Sequence, residues 1–471
     1  MKRRRTWVGV VALAVLLVAG VWFVRTRWFV RTRQSDLPNI LLVTLDTTRA
    51  DHLSCYGYHR KTTPRLDELA ADALVYDRCV STSSWTLPAH ASLLTGRYPT
   101  SHGAMYNPKG PENLGTALPG NWAHYRVTGL TDQIETLPTV LKRHGYVTGG
   151  VIGGPWLEKP FGLGQGFDYY DDDEISSLNG RLAEQINQRA LPWMDKVADQ
   201  PFLLFLNYFD PHDPYLPPED FRLQFLDPMK IVRGAKASPE ELMALYDAEI
   251  YYADHFLGEL IDHLEDLGLY DDTWIIITAD HGELFGEHGL RGHGSTLYEP
   301  ELHVPLIMKY PERWARRGRT GELISLVDIM SIILDRLGIP APPDVQGSAS
   351  SSPPCRAFAE VYPLPDISKL GSYRAFYEGD LKYVWHNRGR HMLFDLRADP
   401  SEEKNLYGVE LTRASAMRTA MDTMIKNLPR PPKIAATEIP KETMDRLKGV
   451  GYLFPRPESR PTTAATSPAR K

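Results

Sequence analysis

NILLVTLD, residues 39–46, and TWIIITAD, residues 273–280, decide the fold. Each is a largely apolar run of strand length that closes on an aspartate, Asp46 or Asp280. A run with apolar residues on both faces reads as a strand inside a covered parallel sheet. Val147–Ile152, Phe202–Asn207 and Pro305–Met308 have the same character, so all five are expected to be buried parallel strands. Helical patterns lie between them. Thr63–Val75 is amphipathic with Pro64 at its first position, and Pro239–Leu267 is a longer helix. Strands alternating with helices make an α/β protein, a mostly parallel sheet between helices. Further on, Pro340–Pro354 is rich in Pro and Ser and reads as a linker. Arg374–Tyr377, Leu381–Trp385 and Met392–Asp395 follow as short antiparallel strands of a small C-terminal α+β subdomain. The expected organisation is an N-terminal segment 1–36, a main domain 37–340, a linker 341–354, a subdomain 355–452 and an unstructured tail 453–471, where Pro, Thr and Ala accumulate.

The bulk composition narrows the function. With 42% hydrophobic and 24% charged residues the chain is an ordinary globular protein, neither fibrous nor disordered. Eight of its 53 Lys/Arg lie in residues 1–33, which hold no acid; the remaining 45 face 59 acidic residues. A body of that sign excludes a nucleic-acid partner. The basic end frames an uncharged run, Trp7–Val24, between Lys2–Arg5 and the group Arg25, Arg27, Arg31 and Arg33. Its length, its edge tryptophans and its bulky end lacking a small-x-small cleavage site predict an uncleaved single-pass membrane anchor. On that expectation the catalytic domain is periplasmic or extracellular. Cys55, Cys79 and Cys355 make neither a disulfide framework nor a zinc pair.

Chemistry collects where the strands end. In open α/β sheets ligands bind beyond the carboxyl ends of the strands. Asp46, Asp280 and the adjoining His281 stand there, and carboxylates with an imidazole can hold a divalent cation. Aspartates capping the next turns are the plainer alternative. In SSWTLPAHASLLTG, residues 83–96, Pro88 suits the first turn of a helix that Gly96 ends, placing Thr86 at or just before its N-cap. Thr86 is then either a capping residue or a hydroxyl nucleophile held where helix N–H groups favour an oxyanion. NYFDPHDPY, residues 207–215, carries His212 over the same edge. Asp171–Glu174 reads as a solvated acidic turn.

Several blocks, in order along the chain, resemble the sulfatase family of the alkaline phosphatase superfamily. They are LDTTRADHLSCYGY from Leu45, SSWTLPAHASLLTGRYP from Ser83, FDPHDPY from Phe209, ADHGELFGEHGLRGHG from Ala279 and LYEPELHVPLI from Leu297. LFDLRADPSEEKNLYG from Leu393 and RLKGVGYL from Arg446 also match, so the resemblance runs from about Pro38 to Tyr452. It implies an alkaline-phosphatase-like fold and one divalent metal ion (calcium, manganese, magnesium or zinc). Asp46, Asp280 and His281 would be ligands, with residue 86 as nucleophile and further ligand. His212 matches a substrate-facing histidine. His293 stands where many sulfatases place a lysine, and would serve as general acid toward the leaving group. His90 replaces an arginine and is expected at the substrate. His288 suits a loop role better than a ligand role.

The departures carry as much information. Sulfatases convert a Cys or Ser at the nucleophile position to formylglycine, whose hydrate expels sulfate by collapsing to the aldehyde. Thr86 has a single hydroxyl and lacks that route, whereas a phosphothreonine can be attacked in line by water. Thr47 replaces the second of two paired carboxylates, and GGVIGGPWL (149–157) offers neither the Lys nor the His expected there. Thr86-Leu87-Pro88-Ala89-His90 is also similar to the threonine motif of nucleotide pyrophosphatase/phosphodiesterases. The expected function is metal-dependent hydrolysis of a sulfate or phosphate ester of a glycan, lipid or small molecule, phosphorus favoured. Three alternatives stay open: a phosphoglycerol- or phosphoethanolamine-type membrane transferase, a true sulfatase with an unorthodox nucleophile, and a non-catalytic binder of anionic glycans.

Overall fold

A computed structural model describes residues 36–107, 126–175, 179–226, 238–349, 356–363, 370–432 and 437–449. Eight strands form the central sheet: β1 (Asn39–Leu45), β2 (Leu74–Val80), β3 (Val147–Ile152), β4 (Tyr169–Asp171), β5 (Phe202–Tyr208), β6 (Thr273–Thr278), β7 (His303–Lys309) and β8 (Gly318–Ser325). Their spatial order is β8-β2-β7-β6-β1-β5-β3-β4. Strand β1 lies between β5 and β6, parallel to both, with Thr44 opposite Asn207 on one side and Thr278 on the other. The two aspartate-terminated runs are therefore neighbours at the centre of the sheet.

Side-chain alternation shows why these runs are apolar throughout. Ile40, Leu42, Phe205 and Ile276 enter one core, while Leu41, Val43, Leu206 and Ile277 enter the other. Helices cover both faces. On one side lie α1 (Pro64–Ala71), α4 (Ala183–Val197) and α5 (Pro239–Asp266); on the other lie α2 (Thr86–Thr95), α3 (Leu137–Arg143) and α6 (Leu326–Arg336). Helix α5 starts at a capping box, in which Ser238 Oγ accepts from the Glu241 N–H at 3.2 Å and Glu241 Oε2 from the Ser238 N–H at 2.8 Å. It buries Leu245, Ile250, Leu257, Leu260 and Leu264, each contributing roughly 2 kcal/mol of apolar transfer.

Two expectations about the elements are corrected. Pro305–Met308 lies in β7, which pairs antiparallel with β6 and with β2. Residues 279–302 turn back at the sheet edge without a long helical crossover, so the chain re-enters from the end at which it left. The helix expected over Thr63–Val75 stops at Ala71, because Leu74 and Val75 begin β2.

A second, four-stranded antiparallel sheet is built from β9 (Arg356–Val361), β10 (Tyr373–Glu378), β11 (Leu381–His386) and β12 (Met392–Asp395). Helix α7 (Leu411–Asn427) lays Ala414, Met417 and Met421 on Phe358, Phe376, Tyr383 and Leu393. Tyr98 and Val327 of the main body join this cluster, while Ala357, Ala359, Ala375 and Val384 of the same sheet pack into the core of the main body.

The expected membrane localisation is also corrected. Among the described residues no helix is long and apolar enough to cross a membrane. The run Trp7–Val24 that suggested an anchor lies outside the described residues, as does the tail 453–471.

Candidate active site

The carboxyl edge of β1, β5 and β6 gathers most of the marked residues. Asp46 follows β1 directly, and Asp280 and His281 follow β6 after one alanine. All three are fully buried, and one ligand atom of each lies within 4.8 Å of the others. Asp280 Oδ1 accepts from the N–H groups of Thr47 at 3.1 Å and His281 at 2.9 Å. Asp46 Oδ2 accepts from Asn207 Nδ2 at 3.2 Å. Asp46 Oδ1 and Asp280 Oδ2 have no hydrogen-bond partner among the described residues.

His281 completes the cluster in a defined tautomer. Its Nδ1 lies 3.0 Å from the Gly282 carbonyl, which can only accept, so Nδ1 carries the proton. Nε2 then presents a lone pair 3.3 Å from Asp280 Oδ2 and 3.3 Å from Thr86 Oγ1. Burial, and then the neighbouring Asp280, push the Asp46 carboxyl well above the usual carboxylate range, against the Asn207 hydrogen bond. Lone pairs facing one another in a dry pocket that also strains Asp46 are what a divalent cation relieves. The donor set therefore fits the expected ion.

Thr86 is the first residue of α2, after Trp85 at the N-cap. Pro88 falls in the first turn, and Gly96 closes the helix at φ +63°, a left-handed conformation that favours glycine. The Thr86 side chain is fully buried and reaches His281 rather than capping the helix.

His90 sits one turn below it. Its Nε2 meets Thr44 Oγ1 at 2.9 Å and its Nδ1 meets the Thr86 carbonyl at 3.0 Å. With both nitrogens engaged inside a fully buried site, and Nδ1 also 3.5 Å from Asp280 Oδ2, His90 braces α2 against β1 beside the candidate ligands. Burial holds its pKa below the ordinary histidine value.

Two further imidazoles cover His281. The His293 ring lies 4.6 Å from His281, and the His212 ring lies 5.0 Å from His293, edge to face. His212 also stacks on Phe209 at 4.3 Å, and its Nδ1 donates to the Asp213 carbonyl at 2.5 Å. His293 Nδ1 lies 3.2 Å from Glu283 Oε2. His288, by contrast, is exposed and stacks on Tyr298 at 3.7 Å, away from this cluster.

Sequence reasoning missed three contributors. Asn207 is the one polar residue within the apolar β5 run, opposite Thr44, and that placement was its signal. Its Oδ1 also accepts the Gly153 and Gly154 N–H groups at 3.3 and 3.0 Å. Glu283 follows Asp280 by three residues and carried no periodic signal. Trp156 fills the side from which the expected Lys and His are missing; it is fully buried, 5.2 Å from Trp85 and 4.9 Å from Phe161.

Comparison with known proteins fits this architecture. A family model described as Sulfatase matches residues 38–339, and one described as N-sulphoglucosamine sulphohydrolase, C-terminal, matches residues 286–429. An ulvan-active sulfatase of Formosa agariphila is 26% identical, covering 79% of this chain and 77% of its own. Human N-sulphoglucosamine sulphohydrolase is 28% identical over 70% of this chain and 64% of its own. The phosphonate monoester hydrolase of Agrobacterium radiobacter superposes with a TM-score of 0.63 at 21% identity, covering 83% of this chain and 95% of its own. At that identity the likeness is one of fold.

Proposed function

The chain belongs to the sulfatase family as a hydrolase of sulfuric or phosphoric esters, and from that premise we propose that Thr86 is its nucleophile and that phosphorus esters are its preferred substrates. The observation that carries this reading is the approach of Thr86 Oγ1 to His281 Nε2, beside the two carboxylate oxygens without partners. Asp46, Asp280 and His281 would hold one divalent cation, with Thr86 completing the set. When bound, such an ion lowers the cost of the Thr86 alkoxide and offsets the charge of the ester oxygens.

The residues divide the remaining work. Thr86, its proton lost to solvent, forms a bond from Oγ1 to phosphorus while the bond to the leaving oxygen breaks. The leaving oxygen takes the electron pair and the Nε2 proton of the His293 imidazolium, which becomes neutral. His212, held by Phe209 and by the Asp213 carbonyl, faces the equatorial oxygens. Water then attacks phosphorus, passes a proton to His293 and releases the Thr86 oxygen. Trp85, Trp156 and Phe209 exclude other water from the pocket.

The single hydroxyl of threonine supports phosphorus over sulfur, because a threonine sulfate has no aldehyde to collapse to. Sulfate ester cleavage by the same residues is the second reading, supported by the sulfatase relatives.

The test is turnover of aryl sulfate, phosphonate monoester and phosphodiester by the full chain loaded with manganese, calcium or zinc. Phosphorus esters are expected to be turned over, and Thr86→Ala is expected to lower the rate about a thousandfold or more without unfolding the chain. Sulfate turnover alone supports the second reading, and retained activity in Thr86→Ala removes Thr86 from the mechanism.

A further inference from the structure

We propose that Glu283 is a positioning residue for His293, fixing its imidazole so that Nε2 is the nitrogen offered to the ester. The proposal rests on the reading of His293 as the group that protonates the leaving oxygen.

The argument begins with backbone register. Residues Leu284–Phe285 and Arg291–Gly292 form a short antiparallel ladder in which Leu284 faces Gly292. Extending that register by one residue sets Glu283 opposite His293. The side chains meet there, with His293 Nδ1 at 3.3 Å from Oε1 and 3.2 Å from Oε2. A carboxylate can only accept, so Nδ1 carries a proton in the neutral ring and in the imidazolium alike, and the proton that the imidazolium gives to the leaving oxygen is the one on Nε2. The imidazole is then confined between His281 at 4.6 Å and His212 at 5.0 Å.

Glu283 is itself fixed. It is 1% exposed, and its Oε2 accepts from the Tyr215 hydroxyl at 3.1 Å. Arg49 Nη1 donates to the Glu283 backbone carbonyl at 3.1 Å and to Glu287 Oε1 at 2.5 Å, tying both ends of the turn to the segment after β1. Immediately beyond His293, Gly294 takes φ +77°, where an added Cβ would lie 3.4 Å from the Trp85 Cβ. The imidazole is therefore held from the carboxylate side, while the chain leaving it turns sharply toward the segment that carries Thr86. A neutral histidine has two tautomers and can flip its ring; the carboxylate selects one arrangement of each.

The experiment compares Glu283→Gln, Glu283→Leu and His293→Ala on two esters that differ only in the leaving alcohol, one nitrophenyl and one alkyl. The nitrophenolate leaves without help and the alkoxide does not. Glu283→Leu is expected to lower kcat for the alkyl ester at least about tenfold more than for the nitrophenyl ester, with KM nearly unchanged. Glu283→Gln keeps an acceptor oxygen and is expected to recover most of that loss. Nitrogen-15 NMR of the folded protein at a pH where the His293 ring is neutral, with its signal identified by absence in His293→Ala, should show Nδ1 protonated in wild type and in Glu283→Gln, and a mixture of tautomers in Glu283→Leu. Equal losses on both esters, or an unchanged His293 tautomer in Glu283→Leu, overturn the proposal. If His293→Ala spares both esters, the reading of His293 itself has failed, independently of what Glu283 does.

Discussion

Asn207 illustrates how one amide can hold a site together. It donates to Asp46 Oδ2 and to Thr44 Oγ1, while its oxygen takes the N–H groups of Gly153 and Gly154. It therefore orients one proposed ligand and pulls the β3 turn against β5. Glycine is needed there, since a Cβ on Gly153 would come within 2.9 Å of the Asn207 carbonyl. Partners that orient a ligand commonly change metal affinity about ten- to a hundredfold when removed. Asn207→Ala should accordingly weaken manganese binding by that factor in a calorimetric titration; affinity within twofold of wild type would show that Asn207 does not orient Asp46. Asp46, Asp280 and His281 stood out in the sequence as candidate ligands because they lie at the ends of apolar runs, and the structure brings them together. Glu283 and the bracing role of His90 were not, because both depend on which side chains face one another across separate elements.

At the level of elements, the strands were legible and their directions were not. An apolar run such as Pro305–Met308 reports burial on both faces, but the reversal of β7 is decided by the link from Asp280 to Leu302. The edge strand β8 escaped notice because its first five residues are mostly exposed and polar. The junction of α1 with α5 offers a direct test of how buried charge is managed. Asp254 on α5 accepts the N–H groups of Arg65 and Leu66, in the first turn of α1, at 2.9 and 2.8 Å. Burial nevertheless pushes its carboxyl up to about 7. A raised folded-state pKa means that the folded protein binds the proton more tightly than the unfolded chain. The resulting stability is present below the unfolded value of about 4 and is lost as pH rises toward 7. Asp254→Asn keeps an acceptor oxygen and has no proton to lose. Its urea midpoint should therefore gain on wild type between about pH 4.5 and 7.5; a difference independent of pH would show that Asp254 does not titrate in that range.

Across the whole molecule, the C-terminal sheet is fastened to the body by ions as well as by apolar packing. Lys382 on β11 is fully buried, with Nζ 2.8 Å from Glu299 Oε1 and 2.7 Å from Glu402 Oε1. Tyr377 donates to Glu299 Oε1 at 2.7 Å, and Glu402 Oε2 accepts the Glu299 N–H at 2.6 Å. Glu299 lies between the His293 turn and β7, so this cluster anchors the end of a segment that lines the site. Burial outweighs Lys382 at Glu402, whose carboxyl is pushed up to about 7, while Lys382 holds Glu299 below its ordinary value. Lys382→Met would strand the buried Glu402 and the partly buried Glu299 and should destabilise the protein by about 3–5 kcal/mol in urea unfolding; a loss below about 1 kcal/mol would mean that this ion cluster does not fasten the sheet. The central claim, however, is that Thr86 forms a covalent ester during turnover. The most direct measurement is the configuration at phosphorus after the full, metal-loaded chain hydrolyses a phosphorothioate diester of one configuration in heavy-oxygen water. Attack by Thr86 followed by attack by water inverts phosphorus twice, so the account predicts net retention. Net inversion would mean that water attacks the ester directly and that Thr86 is not the nucleophile.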